Sequence, residues 1–194
     1  QECVPGEGQG IFALYDHGRP IAFFAHRRLR EKPPTGGVSV LSESVAPDPV
    51  LLAHARRLLD AVNWHGVAMV EFRHDRDNDV PYLMEVNTRF WGSLQLAIDA
   101  GVDFPWLLYQ IACDAPVDAM QDYRPGVRLR WLLGDVDNLY LNLRRRDIGA
   151  GAKLAALGAF VTPHPLRTRH EINRWGDMGP FWTELKQYLQ NLRG

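Results

Sequence analysis

The stretch YLMEVNTRFWGS, residues 82–93, places Glu85, Asn87 and Arg89 at alternate positions of a run that otherwise reads as an apolar strand. Side chains alternate faces along a strand, so the three polar side chains point the same way if the strand extends that far. Charge in an apolar setting needs a partner. The pattern therefore predicts a polar site on one face of a sheet.

A second strand pattern, VAMVEFR at Val67–Arg73, precedes this stretch across a short polar link, and such a pair is typical of an antiparallel hairpin. Folding of the hairpin would bring Glu71 close to Glu85 and Asn87. Two carboxylates and an amide oxygen are ligands of the kind that Mg²⁺ takes together with substrate phosphates, and Arg89 would neutralise a phosphate beside the metal. The alternative is a solvated strand face on which Arg89 pairs with a glutamate.

The rest of the chain predicts a mixture of strands and helices. Strand-forming runs on either side of His17-Gly18 predict a tight hairpin in which the glycine has a positive φ. Asp48 followed by Pro49 predicts a helix start, with an apolar face at helical spacing after it. Ser93 predicts a helix N-cap, although the free N–H groups of a helix start there could instead hold an anion.

Further helices are predicted in SLQLAIDA, in FPWLLYQIACD after a capping Asp103, in NLYLNLRR, in GAGAKLAALGAF and at Phe181–Leu192. The segment VRLRWLLG predicts a strand. Loops are predicted at Arg27–Gly37 and at Thr162–Pro180. The basic residues that precede PPTGGVSV would meet an anionic substrate or a phosphate, or else form a solvated turn; they are Arg27, Arg28, Arg30 and Lys32. Trp175 and Trp182 are predicted to lie in the core.

Composition narrows the function classes. The 194 residues carry a net charge of −1 and 46% hydrophobic residues, which is globular and argues against a nucleic-acid binder with a broad basic face. No apolar run approaches the roughly 20 residues that span a bilayer, so we expect no membrane association and a cytoplasmic protein. Cys3 and Cys113 follow no metal or disulfide spacing and suggest a reducing compartment. The histidine spacing disfavours zinc catalysis, and no P-loop motif is present.

The segments GVAMVEF and PYLMEVNTRFWGSLQLAIDAGVDFP together resemble the C-terminal half of an ATP-grasp domain. The resemblance implies an α+β lobe, an antiparallel sheet flanked by helices, that binds ATP with Mg²⁺ (or Mn²⁺) through Glu71, Glu85 and Asn87, while Arg89 contacts phosphate. Biotin carboxylases also read N-T-R here but continue with a Val-Glu-His segment, where this chain has FWGSLQL. That departure favours a branch similar to carbamoyl phosphate synthetase or to carboxylate–amine ligases.

The opening QECVPGEG resembles the linker between the two ATP-grasp lobes. That likeness implies that Glu2, Cys3 and Val4 lie at the adenine edge and Glu7 near the ribose; without it the segment reads as a polar loop. We therefore expect residues 1–145 to form the C-terminal lobe, residues 146–194 to form a C-terminal extension, and a missing N-terminal lobe of the same protein to complete the enzyme.

The resemblance implies a ligase that phosphorylates a small-molecule carboxylate with ATP and passes the acyl phosphate to an amine or another nucleophile, releasing ADP. We expect the fragment by itself to be inactive. Two alternatives stay open: a non-catalytic regulatory or interaction module that keeps the fold, and a metal-dependent hydrolase that uses the same carboxylates.

Overall fold

A computed structural model describes residues 7–75, 78, 80–120, 122–162 and 168–191, with only the backbone of residue 7. The strands are β1 (Glu7–Asp16), β2 (Arg19–Lys32), β3 (Val38–Val45), β4 (Gly66–Asp75), β5 (Val80–Asn87), β6 (Arg128–Arg130) and β7 (Thr168–His170). The helices are α1 (Pro49–Ala61), α2 (Leu94–Ala100), α3 (Phe104–Ala112), α4 (Leu132–Arg144), α5 (Ala150–Val161) and α6 (Gly179–Asn191). These elements confirm the predicted α+β class, a sheet flanked by helices.

Within the described ranges, seven strands form one sheet in the order β5-β4-β1-β2-β3-β6-β7. Antiparallel pairing joins β1 to β2 and β4, and β4 to β5, whereas β6 and β7 are parallel. The chain divides into two compact units: Gln1–Arg27 with Glu43–Val127, and Arg28–Ser42 with Arg128–Gly194.

In the first unit, α1 covers one face of the sheet. The Asp48 carboxylate accepts hydrogen bonds from the backbone N–H groups of Val50 (2.8 Å) and Leu51 (3.2 Å), which confirms the predicted cap. The helix presents its apolar stripe to alternate residues of β1, β2 and β4. The buried members of this core are Ile11, Ala13, Tyr15, Ala25, Leu51, Ala55, Leu59, Ala68, Val70 and Phe72.

The β1–β2 turn has the predicted geometry. His17 and Gly18 have φ values of 44° and 79°, the left-handed conformation that a two-residue hairpin turn requires at both positions. A Cβ at Gly18 would come within 2.2 Å of the Asn63 side-chain oxygen, so packing as well as φ requires glycine there. The Gly18 N–H donates to the Trp64 carbonyl at 2.7 Å and holds the turn against the link after α1.

A tyrosine joins the distant segments of the same unit. The Tyr123 hydroxyl donates to the Val45 carbonyl and accepts from the Ala25 N–H at 3.0 Å, and burial raises the pKa of Tyr123 to about 12. The segment that carries Tyr123, between α3 and β6, is thereby tied to β2 and β3.

In the second unit, buried ion pairs hold α4 to the strands. Asp135, fully buried, accepts from the Arg30 guanidinium at 2.7 Å and from the Arg130 Nε at 2.6 Å. Lys32 on β2 contacts Asp137 of the same helix, and Asp137 also accepts from the Tyr188 hydroxyl at 2.5 Å. The basic residues at the end of β2 are therefore paired with acidic residues of α4 that lie 105 positions later in the sequence.

Several predicted elements were wrong. Arg27–Gly37 is not a loop, because β2 runs to Lys32. The predicted strand VRLRWLLG is a strand only at β6 and then enters α4, while a short β7 interrupts the predicted loop Thr162–Pro180. Trp175 is 98% exposed and Trp182 is 61% exposed, so neither lies in the core. β3 was not predicted at all.

Candidate metal and nucleotide site

Glu71 of β4 and Glu85 of β5 lie opposite each other in the β4–β5 hairpin. They are directly opposed in the antiparallel register, and Met69 is opposed to Asn87 two pairs further along. Directly opposed residues share a face, so both carboxylates and the Asn87 amide lie on the same side of the sheet. This is the face opposite to the one that α1 covers, since Val70 and Phe72 point into the α1 core.

The local geometry suits a cation bound by oxygen ligands. The Asn87 Nδ2 donates to Glu85 Oε1 at 2.7 Å, which leaves the amide oxygen of Asn87 as a further acceptor beside the acids. A β-bulge between Glu71 and Phe72 makes Met84 the extra residue of β5 next to the pair. Like charges directly opposed across strands are destabilising by themselves, so a divalent cation fits this donor set.

The β5 side of the hairpin is more open than its apolar sequence suggested. Glu85 is exposed, Glu71 and Asn87 are half-buried, and Leu83 and Met84 are 52% and 55% exposed. The expectation that both faces of the hairpin are covered is therefore wrong for β5, which is the edge strand of the sheet. A ligand can reach Glu85 from solvent.

Two further residues lie in register with Glu71 and Glu85 on the neighbouring strands, and the sequence analysis did not identify them. They are Gly10 and His26. Gly10 on β1 is opposed to both Glu71 on β4 and His26 on β2. His26 is buried, stacks on Phe12 with ring centroids 4.7 Å apart, and its Nε2 lies 2.9 Å from the Ser93 hydroxyl. Counting outward from the His17-Gly18 turn would have paired Gly10 with Ala25 and placed His26 on the other face. A β-bulge between Leu14 and Tyr15 shifts the register by one residue, and no sequence pattern considered above signalled it.

Ser93 occupies the predicted N-cap position of α2 but does not act as predicted. Its side chain makes no capping hydrogen bond and instead contacts His26. Trp91, two residues earlier, packs on Phe12 at 4.3 Å and on Phe104 at 5.1 Å between centroids. The segment after β5 is thus anchored by aromatic packing rather than by a side-chain cap.

Arg89 is not placed by strand alternation. β5 ends at Asn87, and the Arg89 guanidinium donates to the Phe90 carbonyl at 3.1 Å. The condition on which Arg89 would share the face of Glu85 and Asn87 is therefore not met, because the strand ends two residues before Arg89. The exposed side chain follows the acidic pair closely in sequence, and its role as a phosphate contact stays a prediction.

The expected adenine and ribose contacts fall largely outside the described residues. Glu2, Cys3 and Val4 lie there, and of Glu7 the structure describes only the backbone, which begins β1 opposite His74. Their roles stay predictions.

The basic residues of β2 are engaged with acids. Arg27 donates from Nε and Nη2 to one oxygen of the buried Glu43, at 2.9 and 2.6 Å, and Arg28 lies 3.2 Å from Glu31. Arg30 and Lys32 bind the α4 acids described above. The predicted loop is wrong, because these residues lie on a strand, and each of them has a carboxylate partner. Contact of these residues with an anionic substrate stays a prediction.

A separate cluster of possible metal ligands lies at the β1–β2 turn. Asp16, His17 and His65 bring one donor atom each within 4.8 Å of one another. The backbone N–H of His17 donates to His65 Nδ1 at 3.2 Å, the two imidazole rings stack at 4.1 Å, and Asp16 lies 3.4 Å from Arg19. These contacts stabilise the β1–β2 turn and explain, without requiring a metal ion, why the three side chains lie close together.

No helix among the described residues is long and apolar enough to cross a membrane. No curated protein matches the chain.

Solved structures of three enzymes share the fold. They are a multifunctional pyruvate carboxylase from Rhizobium etli (21% identity, TM-score 0.51), the ATPase subunit of phosphoribosylaminoimidazole carboxylase from Aquifex aeolicus (16%, 0.51) and an L-amino acid ligase from Bacillus licheniformis (21%, 0.50). The matches cover 63%, 63% and 65% of this chain but only 12%, 38% and 34% of those proteins. At these identities the likeness shows the fold alone.

The sequence itself matches a family model over residues 1–134, and the family is described as ATP-grasp in the biosynthetic pathway with Ter operon. The matched segment contains β1 to β6 together with the opposed glutamates and Asn87. Since the match covers more than half of the 194 residues, the chain belongs to the ATP-grasp superfamily.

Proposed function

We propose that this chain is the metal-binding part of an ADP-forming ligase that activates a small-molecule carboxylate. ATP-grasp enzymes are ATP-dependent ligases, and the carboxylate–amine ligase branch is the finer assignment that we propose. The observation that carries the proposal is the directly opposed pair Glu71 and Glu85, with Asn87 on the same open face of the sheet.

The residues of the site have separate proposed roles in binding the metal and the nucleotide. Glu71, Glu85 and Asn87 would hold Mg²⁺ or Mn²⁺, and Arg89 would donate to a phosphate oxygen of ATP. Divalent cations, when bound, neutralise the charge of those phosphates. Arg89 is exposed and close after β5, so its guanidinium can turn from the Phe90 carbonyl toward a phosphate without opening the core.

The chemical logic is electrostatic. Phosphoryl transfer requires positioning and neutralisation of the charge spread over the transferred group, and the protein forms no covalent bond with it. Fixed charges aimed at the terminal phosphates favour attack by the substrate carboxylate on the γ-phosphorus. The resulting acyl phosphate is then open to an amine or another nucleophile.

We also propose that a second lobe of the same protein closes over the nucleotide and that Glu2, Cys3, Val4 and Glu7 contact adenine and ribose. On this proposal the 194 residues alone bind nucleotide weakly and turn it over negligibly. Micromolar ATP binding by the isolated chain in calorimetry would contradict it.

The metal role is tested with Glu85→Gln in the intact ligase. Loss of one preorganised charge is expected to lower ATP turnover by roughly a hundredfold or more and to reduce the Mn²⁺ bound per molecule in electron paramagnetic resonance titrations. The fold, monitored by circular dichroism, should be retained because Glu85 is exposed.

Asp118→Asn is the matched control, because it removes one exposed carboxylate of the same unit away from the hairpin. Wild-type turnover and Mn²⁺ binding in Glu85→Gln would reject the assignment. Loss of Mn²⁺ binding from a protein that consumes no ATP with any carboxylate would instead favour a non-catalytic module.

A further inference from the structure

The second unit contains a cavity of about 670 Å³ that arginine side chains dominate. Its polar lining consists of Arg30, Arg128, Arg130, Thr162, Thr168 and His170, and the described lining residues include no carboxylate. Pockets for small molecules typically measure about 300–1,000 Å³, so the cavity is of a suitable size.

The strands arrange these side chains on one face. In the parallel β6–β7 pair, Arg128 is in register with Thr168, and Arg130 is in register with His170. The intervening residue Arg169 points to the other face, because side chains alternate along a strand. The cationic lining is therefore a property of one sheet face and not of a general basic surface.

Two arginines of the lining, Arg30 and Arg130, share one carboxylate among the residues that the structure describes. A single oxygen of Asp135, Oδ2, accepts from both Arg30 Nη2 (2.7 Å) and Arg130 Nε (2.6 Å). The other contacts of the two guanidinium groups are neutral: Arg30 donates to the Ala159 carbonyl at 2.9 Å, and Arg130 donates to the Phe160 carbonyl at 3.1 Å. One buried carboxylate thus serves two arginines whose side chains are only 19% and 16% exposed.

Two buried nitrogen atoms at the cavity have no hydrogen-bond partner among the described residues, namely Arg30 Nε and His170 Nδ1. Buried polar atoms are rarely left unpaired in folded proteins. Burial lowers the pKa of Arg30, and burial together with the nearby cations Arg130 and Arg174 lowers the pKa of His170. The lowered pKa of His170 has the direction expected beside cations, whereas that of Arg30 follows mainly from its burial.

We propose that this cavity binds a small molecule through an oxyanion group, a carboxylate or a phosphate. Guanidinium groups recognise both groups by charge-assisted hydrogen bonds, and the anion would supply the negative charge that Asp135 alone does not. Trp175, 98% exposed at the same cavity, offers an aromatic surface to an organic body attached to the anion. This site lies wholly in the second unit and does not depend on the proposed ligase function.

The first test is calorimetric titration of the 194-residue chain with inorganic phosphate, acetate and benzoate at constant ionic strength. We expect saturable 1:1 binding of at least one of these anions. Arg128→Gln should weaken that binding roughly tenfold, because one charge-assisted donor is lost from the lining.

Arg169→Gln is the matched control, since it removes the same charge from the opposite face of β7. Equal weakening by both variants would show general electrostatic attraction and overturn the proposal, as would the absence of saturable binding to any of the three anions. Preference for benzoate over acetate that Trp175→Ala removes would identify a carboxylate with an aromatic body, whereas binding of phosphate alone would identify a phosphate ligand.

The second test needs no variant of the lining and so remains decisive if Arg128→Gln does not fold. An anion bound among these cations should raise the pKa of His170, which NMR of the imidazole resonances measures directly. His54, on α1 of the other unit, serves as the internal reference. An unchanged His170 titration at a saturating concentration of the bound anion would place that anion elsewhere and reject the site.

Discussion

At the scale of single residues, His170 and Glu171 are neighbours whose pKa values shift in opposite directions. Burial, Arg130 and Arg174 lower the pKa of His170 from its ordinary value of 6.5. Burial and the nearby Glu184 raise the pKa of Glu171 from 4.5. Each group is therefore held toward its neutral form in the folded protein, as expected for half-buried titratable side chains.

The two shifts predict opposite pH dependences of stability. Folded His170 binds fewer protons than the unfolded chain does, so its contribution is present above pH 6.5 and is lost as the pH falls toward the lowered pKa. Folded Glu171 binds more protons, so its contribution is present below pH 4.5 and is lost as the pH rises through the raised pKa. Urea unfolding between pH 4 and 8 measures both.

We expect His170→Gln to flatten the loss of stability below about pH 6.5 and Glu171→Gln to flatten the loss above about pH 4.5, the ordinary values of the two groups. Arg169→Gln, which changes an exposed residue of the same strand, should leave both slopes unchanged. A wild-type pH profile in both of the first two variants would show that neither shift contributes to stability.

At the scale of elements, sequence patterns correctly predicted a cap, a turn and a hairpin that depend on residues close together in the sequence. The cap Asp48, the apolar stripe of α1, the His17-Gly18 turn and the β4–β5 hairpin depend on residues within one or two turns of each other, and the structure contains all of them. The opposition of Glu71 and Glu85 also followed from the hairpin, whereas their metal role stays a prediction.

Elements that depend on distant partners were missed. The basic end of β2 resembled a loop because it runs into prolines and glycines, yet Arg30 and Lys32 are held in a strand by acids of α4 that lie 105 residues away. No local pattern reveals those partners. The exposure of Trp175 and Trp182 was missed for a related reason, since large aromatic residues are usually buried and the tail offers them no buried position.

The α1 core allows a quantitative prediction at this scale. Leu51 is completely buried against β1, β2 and β4, so Leu51→Ala should lower the free energy of unfolding by about 2–5 kcal/mol through lost burial and a residual cavity. Leu58→Ala on the same helix is the control, because Leu58 is 37% exposed and should cost clearly less. Equal effects in urea denaturation would show that α1 does not pack as described.

At the scale of the whole molecule, the first unit has two chemically different sheet faces. One face is closed by α1, and the other carries Gly10, His26 and the opposed acids. The second face is also packed by buried aromatic side chains, since Phe12 contacts both His26 and Trp91, so it combines apolar packing with the candidate chemistry. The identities of the proposed carboxylate substrate and of its nucleophile could not be predicted from the sequence, because specificity depends on a pocket shape that no motif of this chain encodes.

For the proposed ligase, the position of the acids predicts which phosphate bond of ATP is broken. Glu71, Glu85, Asn87 and Arg89 are proposed to neutralise the terminal phosphates, which favours attack at the γ-phosphorus and departure of ADP. A ligase that adenylates its substrate would need its charge at the α-phosphorus and would release AMP with pyrophosphate. Chromatography of the nucleotides formed during turnover with the carboxylate substrate should show ADP and phosphate in equal amounts. Glu85→Gln should slow formation of both together, whereas AMP formed in proportion to ligated product would refute the proposed chemistry while leaving the fold assignment intact.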